Sequence, residues 1–539
     1  MTPAGVDDRN WKLALAEFRT VLGDERIYLS DEDMALYRDA YSPVWGEPGE
    51  RRAAAALAPL GVGQVQSIVR IANAYRIPIY PISTGKNLGY GGSAPNLSGS
   101  VIVDLKGMGS IVEVDDKRHF AIVEPGVSYF DLHDHILAHG LKTWIDCPDP
   151  GWGSLVGNAL DHGVGHTWHT YRDHFNSHCG MEVVLPNGDL IRTGMGALPG
   201  AETWGDFRYG FGPYLDGLFS QGNFGIVTKM GFHLMPQPDA FLSRRIILSR
   251  RRDIVPLVEL LNEFEYGGLI GLPVLESPLN TLADEQDQAL EALLRADDLW
   301  ESDALDGFAR SRKISYWTCK IQLYGPREGI AANYAYIQRK LQAAIPDVRF
   351  EDVESLQFPM SSEQREAVSH KVLIGVPNLN IFSLGARSRT NPSPADGHLL
   401  FSPVIPRTGE GLLKAQAVFG KALKGTPLAK LYTPFTPPFT WLFRAFALAC
   451  GFPVSRTDPS VNQRSREAMA LLIKIGAENG YGEYRTPPIF QDLVASTYAF
   501  NNHALHHATE ALKDALDPNG IMAAGRYGIW PRHMRNRPQ

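Results

Sequence analysis

The chain reads as an α+β protein of two or more domains, and three observations carry that expectation. It has 539 residues, more than one hydrophobic core normally spans. Residues 61–83 hold a helical pattern that runs into the apolar strand IPIYPI. Beyond Pro238 a strand–helix–strand pattern occurs twice, over 241–271 and 313–346, which predicts a second body with an antiparallel sheet.

In order, residues 11–23 predict a helix stopped by Gly23, and 30–41 a helix with Ser30 as N-cap. A short apolar element at 53–60 precedes the helix–strand unit. A glycine-rich loop then carries Gly85, Gly89, Gly91 and Gly92. Three strand-like runs follow, VIVDL, SIVEVD and FAIVEPG, which predict a meander. Residues 128–142 predict a helix with Phe130, Leu132, Ile136 and Leu137 on one side and Gly140 as its stop. A turn-rich tract holds the short helix SLVGNAL, and Asn187 and Gly188 mark the turn of a hairpin over 181–194. A strand at 225–235 is stopped by Pro236 and Pro238. The stretch 276–298 predicts a solvated helix; 398–424 a strand, turn and helix; 462–480 a helix; 480–492 a hairpin; and 501–520 a last helix.

Composition removes several classes. A net charge near −7 argues against a nucleic-acid binder. Four scattered cysteines without CxxC spacing do not form a disulfide framework. No basic start with an apolar run opens the chain, and no run of about 18 apolar residues occurs. A cytoplasmic protein without a membrane span is expected. No GxSxG elbow is present, so serine hydrolase chemistry has no support.

The glycine loop offers backbone N–H groups as an anion nest. It is not a dinucleotide fingerprint, because a meander and not a helix follows. It is not a phosphate loop of nucleotide hydrolases either, because Asn87 follows Lys86. His162, His166, His169, His174 and His178 are a tempting metal set. Gly163 and Gly165 interrupt any helix that would aim the first two at one ion, and no HExxH occurs. Histidines in a polar cleft, with no metal, are expected. Asp149, between two prolines, reads either as a turn former or as a fixed carboxylate partner. Tyr484 and Arg485 would stabilise an anionic oxygen, although in a plain strand they face opposite ways. His398 reads as a buried structural histidine or as a nucleophile toward an electrophilic cofactor carbon.

Long motifs in order give the chain a family resemblance. They are PISTGKNLGYGGSAP, PDPGWGSLVGNALDHGVG, GMEVVLPNGDLIRTG, YGFGPYLDGLFSQGNFGIVTKMGFHLMP, GHLLFSPV, GEYRT and LDPNGIMAAGRYGIWP. The chain resembles the vanillyl-alcohol oxidase and eugenol oxidase group, within the family that also holds p-cresol methylhydroxylase. The resemblance implies an FAD-binding domain made of residues 1–238 and 489–539, with a cap domain over 239–488. It implies that Ser83, Gly85, Lys86, Asn87, Gly89 and Gly91 cradle the pyrophosphate. Pro148, Gly153, Ser154, Gly157, Asn158, Gly163, Gly225, Ile226, Val227 and Arg526 would complete the cofactor site. His398 matches the residue bonded to the flavin; a tyrosine does this in the p-cresol enzyme, so His398 favours the oxidase side. Tyr90, Tyr484 and Arg485 match the triad that binds the substrate phenolate, and Asp149 the acidic residue near flavin N5.

Three departures stand out. His166 lies in the substrate pocket where these oxidases usually carry a tyrosine. The chain has no histidine before His119, where the fungal enzyme has the histidine that activates the covalent link; either another group does its work or the link forms slowly or incompletely. The TPPIF tract after Arg485 also departs from the usual continuation.

The implied chemistry is oxidation of 4-substituted phenols by hydride transfer to FAD through a p-quinone methide, with O2 reduced to H2O2. The competing reading is a dehydrogenase of the same family that passes electrons to a cytochrome c-like acceptor. A homodimer is the family's common unit.

Overall fold

The computed structural model describes residues 2–285, 287–295, 299, 303–380, 397–424, 426 and 440–535. Strands Ala55–Leu57, Ile79–Ile82 and Val101–Asp104 form a parallel trio with Val101–Asp104 in the middle, and Ile27–Tyr28 pairs antiparallel at the edge. Parallel neighbours need a crossover, which the helix Val62–Tyr75 supplies. Helix Asp8–Leu22, ended at Gly23, buries Trp11, Ala14 and Phe18 in the same core as Val65, Ile68 and Val69 of that crossover.

The expected meander splits between two sheets. Val101–Asp104 is buried along its whole length, as a central parallel strand must be, and belongs to the first sheet. Ile111–Asp115 and Phe120–Val123 instead begin an antiparallel sheet that continues through Ile226–His233, His178–Val184 and Leu190–Arg192. The hairpin turn at Asn187 and Gly188 lies where the sequence puts it, but its first strand starts three residues early, at His178. In helix Tyr129–Ala138 the inward residues are Tyr129, Leu132 and Ile136, while Leu137 is exposed. The helix begun at Ser30 is only five residues long, Asp31–Ala35, though Ser30 caps it as expected. Over 276–298 two short helices form, Pro278–Asp284 and Gln288–Leu293; Gln286 and 296–298 lie outside the described residues.

Beyond Pro238 the two strand–helix–strand sets build one antiparallel sheet. Its order is Val274–Glu276, Trp317–Gly325, Ala240–Leu248, Arg349–Gln357. Helices Ile254–Tyr266 and Arg327–Ala344 bury their apolar faces in a core whose buried members run from Ala240 to Phe490. Gly397–Phe401 pairs with Cys450–Val454 beside helices Gly409–Leu423 and Pro459–Glu478.

Residues 480–492 do not form the expected hairpin. Pro487 and Pro488 deny the chain a ladder, and it makes one bridge, Pro403 with Glu483, before a 3-10 turn at Pro488–Phe490. The tail after helix Phe500–Leu516 returns to the first sheet. Ile79 N–H donates to Ile521 O at 2.7 Å and Ala523 N–H donates to Ile79 O at 2.8 Å. Lys513, fully buried, pairs with Asp517 at 2.8 Å and donates to the carbonyls of Asn223 and Met522. This return carries Arg526 and Tyr527 to the glycine loop. Among the described residues no helix is long and apolar enough to cross a membrane.

Candidate active site

A cavity of about 430 Å³ lies where the first two sheets, the Gly397–Phe401 pair and the tail meet. One wall is backbone and small side chains. Ser83, Gly85, Lys86 and Asn87 line it from the glycine loop. Pro148, Gly153, Ser154, Gly157 and Asn158 line it around the helix Leu155–Leu160. Gly225, Ile226 and Val227 line it from the strand Ile226–His233. The loop turns through left-handed glycines, with φ of 68° at Gly85, 79° at Gly89 and 108° at Gly91. Gly89 and Gly91 stand behind this wall: a Cβ on Gly89 would lie 3.1 Å from His398 O, and one on Gly91 2.6 Å from Pro488. Gly163 also stands behind, where a side chain would overlap Asn158.

This wall fits FAD. A run of left-handed turns aims amides at an anion, as a pyrophosphate needs. Val156, Leu160, Phe219, Ile226 and Val227 give a flat apolar ring a surface to lie on. The fit includes His398, which lines the same cavity; burial pulls its pKa down to about 4, so the imidazole is neutral. Its ring meets the edge of Tyr41 with centroids 5.1 Å apart. The first 60 residues therefore put a phenol beside His398, not an imidazole.

A second part of the lining is made of charged and aromatic side chains. Arg485 Nη2 donates to Asn87 Oδ1 at 2.9 Å and to Asp161 Oδ2 at 3.1 Å, and its guanidinium sits 4.0 Å from the Tyr90 ring centre. Its Nε is buried and has no partner among the described residues. Arg526 Nη2 donates to the other oxygen of Asp161 at 2.9 Å, and the Tyr527 hydroxyl donates there too. Asn87 Nδ2 adds a bond to Asp161 Oδ2 at 2.7 Å. Burial works against the charge on Asp161, but Arg485 and Arg526 more than offset it and hold its pKa below the usual range. Burial likewise opposes Arg485, and Asp161, Tyr90 and Tyr484 outweigh it, so its pKa is raised.

Two cations thus share one anion, which leaves this trio one positive charge in excess. Burial pushes the carboxyl of nearby Glu483 well above the ordinary range, and it accepts the Ser402 N–H at 3.0 Å. Burial also raises the Tyr90 phenol. Tyr484 lines the cavity with Arg485 because the backbone there is irregular, and the opposite-face problem of a plain strand does not arise.

Asp149 and His166 line the cavity together, with Asp149 Oδ2 3.7 Å from His166 Nε2. The other histidines of that tract go elsewhere. His162 bonds Ser220 at 2.9 Å, His169 stacks on Phe443, His174 bonds Asp146 at 2.9 Å and His178 bonds Asp216 at 2.9 Å. Among the described residues no three ligand-type side chains converge on a metal position.

Sequence reading missed Asp161, Tyr527 and Ser402, although Asp161 stands inside NALDHGVG and Tyr527 is the neighbour of Arg526. Arg526, expected only as a cofactor contact, shares a carboxylate with Arg485.

A family model described as an FAD binding domain matches residues 53–194. The chain is 34% identical to the flavoprotein subunit of 4-cresol dehydrogenase [hydroxylating] from Pseudomonas putida, over 98% of this chain and 97% of that protein. It is 28% identical to 1'-carboxy-chondrochloren decarboxylase from Chondromyces crocatus, over 96% and 98%. The solved structure of 4-ethylphenol oxidase from Gulosibacter chungangensis, in complex with isoeugenol, superposes with a TM-score of 0.82 at 32% identity, covering 99% of this chain and all of that one. Substrate-bound p-cresol methylhydroxylase gives a TM-score of 0.82 at 30% identity, over 98% and 99%. Motifs, architecture and full-length similarity agree: the chain belongs to the vanillyl-alcohol oxidase/p-cresol methylhydroxylase family of FAD-binding oxidoreductases.

Proposed function

We propose that the protein oxidises 4-substituted phenols with FAD and returns the electrons to O2 as H2O2. The observation that carries this reading is the buried positive excess of Arg485 and Arg526 over Asp161, set against Tyr90 and beside Tyr484. A phenolate oxygen supplies the missing negative charge. Preorganised donors in a water-poor site are worth far more than in water. Arg485 brings an Nε–H without a partner among the described residues, and Tyr484 brings a phenol to the same cavity.

Bound FAD supplies the hydride acceptor and hands the electrons on. The chain's own residues do the rest. The arginine cluster holds the ring oxygen ionised, so that electron density pushes toward the para carbon and a benzylic hydride leaves. The p-quinone methide that forms draws its electrons back to the same oxygen when water adds. Asp149 keeps a carboxylate beside the reacting end, and the glycine wall holds the cofactor by backbone contacts.

His398, neutral at working pH, is proposed as the covalent link to the flavin, with Tyr41 as the group that orients it. Its being a histidine supports the oxidase reading over a cytochrome-linked dehydrogenase. We also propose the division into FAD-binding parts 1–238 and 489–539 and a cap over 239–488, which the confinement of one core to Ala240–Phe490 supports.

Anaerobic mixing of purified holoprotein with a panel of 4-alkylphenols and 4-hydroxybenzylic alcohols tests the reading. Bleaching of the flavin by some of them is expected, followed by peroxide in step with oxygen uptake when air is admitted. No bleaching across the panel overturns the substrate class. Bleaching without peroxide, but with rapid cytochrome c reduction, overturns the oxidase assignment.

A further inference from the structure

We propose that His166 and Asp149 together seat the water that adds to the oxidised substrate, and that His166 Nε2 takes its proton. This rests on the phenol-oxidising reading above and assigns a step to a side chain that departs from the family pattern.

The tautomer comes first. His166 Nδ1 lies 2.9 Å from the backbone carbonyl of Cys147. A carbonyl only accepts, so Nδ1 carries the hydrogen and Nε2 carries a lone pair. The ring is held in place. The backbone N–H of His166 donates to Asp146 Oδ1 at 3.1 Å. Asp146 is buried and is itself fixed by His174 at 2.9 Å and by the Thr167 N–H at 2.8 Å.

The free nitrogen then faces a second acceptor. Nε2 stands 3.7 Å from Asp149 Oδ2, and both side chains line the cavity that holds Tyr90, Tyr484 and Arg485. That gap is too long for a direct bond, and two acceptors do not bond each other. A water at ordinary hydrogen-bond length from both donates one O–H to each. Its lone pairs are left to point away from the pair, toward a carbon in the cavity.

The step balances without an oxidant. The water oxygen forms a bond to the benzylic carbon of the quinone methide. One water O–H breaks and its proton passes to Nε2. The π electrons move through the ring to the oxygen held by the arginine cluster, which becomes phenolate. Of the two acceptors the imidazole takes the proton, because a neutral imidazole nitrogen is a stronger base than a carboxylate oxygen. Asp149 then stabilises the imidazolium. Removal of the hydroxyl proton when an alcohol is oxidised to an aldehyde uses the same nitrogen.

The test uses wild-type, His166→Phe and His166→Asn holoproteins, mixed anaerobically with 4-methylphenol. That substrate has no neighbouring carbon to lose a proton from, so water addition is the exit. Flavin bleaching is followed by absorbance, and 4-hydroxybenzyl alcohol by rapid quench. In both variants alcohol formation is expected to slow at least ~10²-fold, in line with loss of a general base, and at least ~10-fold more than bleaching does. A third variant, His166→Ala, is run with and without added imidazole, which is expected to restore part of the alcohol rate without changing bleaching. Equal slowing of both phases, or an alcohol rate like that of wild type, overturns the proposal. Failure of the wild type to bleach with 4-methylphenol and with every other 4-alkylphenol of the panel would instead overturn the substrate reading on which it rests.

Discussion

The two sides of the cavity are built by opposite means. The wall of Gly85, Gly157 and Gly225 binds through backbone and shape. The side of Asp161, Arg485 and Arg526 binds through side chains drawn from three distant parts of the chain. A backbone wall is set by local conformation, and each glycine is held to its type by its own neighbour: a Cβ on Gly85 would run into Ser93, on Gly157 into Ser83 and on Gly225 into Val183. A charge cluster is collective: its arginines are tolerable only because they share a carboxylate, and losing that carboxylate strands both.

Asp161→Ala is the sharpest way to break this contrast. Removing one partner of a buried ion pair costs about 3–5 kcal/mol, and here two buried arginines lose their counter-ion. Chemical denaturation of the holoprotein is expected to show a loss of that size. Next is Arg485→Met, which keeps Asp161 paired with Arg526 but removes a donor to the phenolate. A fall in kcat/KM of roughly 10²–10³ is expected for a 4-alkylphenol, with much less change in denaturation midpoint than Asp161→Ala.

On the backbone wall, Gly89→Ala forces an L residue to φ 79° and brings its Cβ to 3.1 Å from His398 O. A loss of about 1–2 kcal/mol is expected, read as a lower denaturation midpoint of the holoprotein and slower uptake of FAD by the apoprotein, while KM for the phenol stays near that of wild type. A Gly89→Ala protein with normal FAD uptake and impaired phenol binding would reverse the roles given to the two sides.

The last effect is electrostatic and depends on pH. His398 has its pKa lowered from 6.5 to about 4 by burial. Between those values the unfolded chain binds the extra proton, so stability is full above pH 6.5 and falls as pH drops toward 4. Apoprotein carrying His398→Gln is expected to lose less stability over that window, by up to about 1.4 kcal/mol per pH unit. Equal acid sensitivity in both proteins would show that the imidazole is not buried as described.

The same contrast explains what could be read from the sequence. Left-handed turns demand glycine, so Gly85, Gly89 and Gly91 mark their loop by residue type alone. Tyr484 and Arg485 announce themselves as neighbours. Asp161 does not, because its partners Asn87, Arg485 and Arg526 lie 74, 324 and 365 residues away. Its own tract, at the end of a six-residue helix, gives no hint of them. In the fold, alternation and apolar runs locate the strands, but not which sheet each joins: VIVDL and SIVEVD look alike in sequence and part company because only the first is covered on both faces. The two prolines after Thr486 are visible signs against a hairpin at 480–492, and the N–H group each one lacks outweighs the local turn signals there.

The central claim is that an ionised ring hydroxyl, held by the arginine cluster, drives the oxidation. The most direct test compares the anaerobic flavin reduction rate for a 4-alkylphenol that the enzyme turns over with that for its methyl ether. A methyl ether cannot ionise, and a drop of at least ~10³-fold is expected, in line with loss of the charge the site is built to stabilise. Equal rates for the two compounds would contradict the claim.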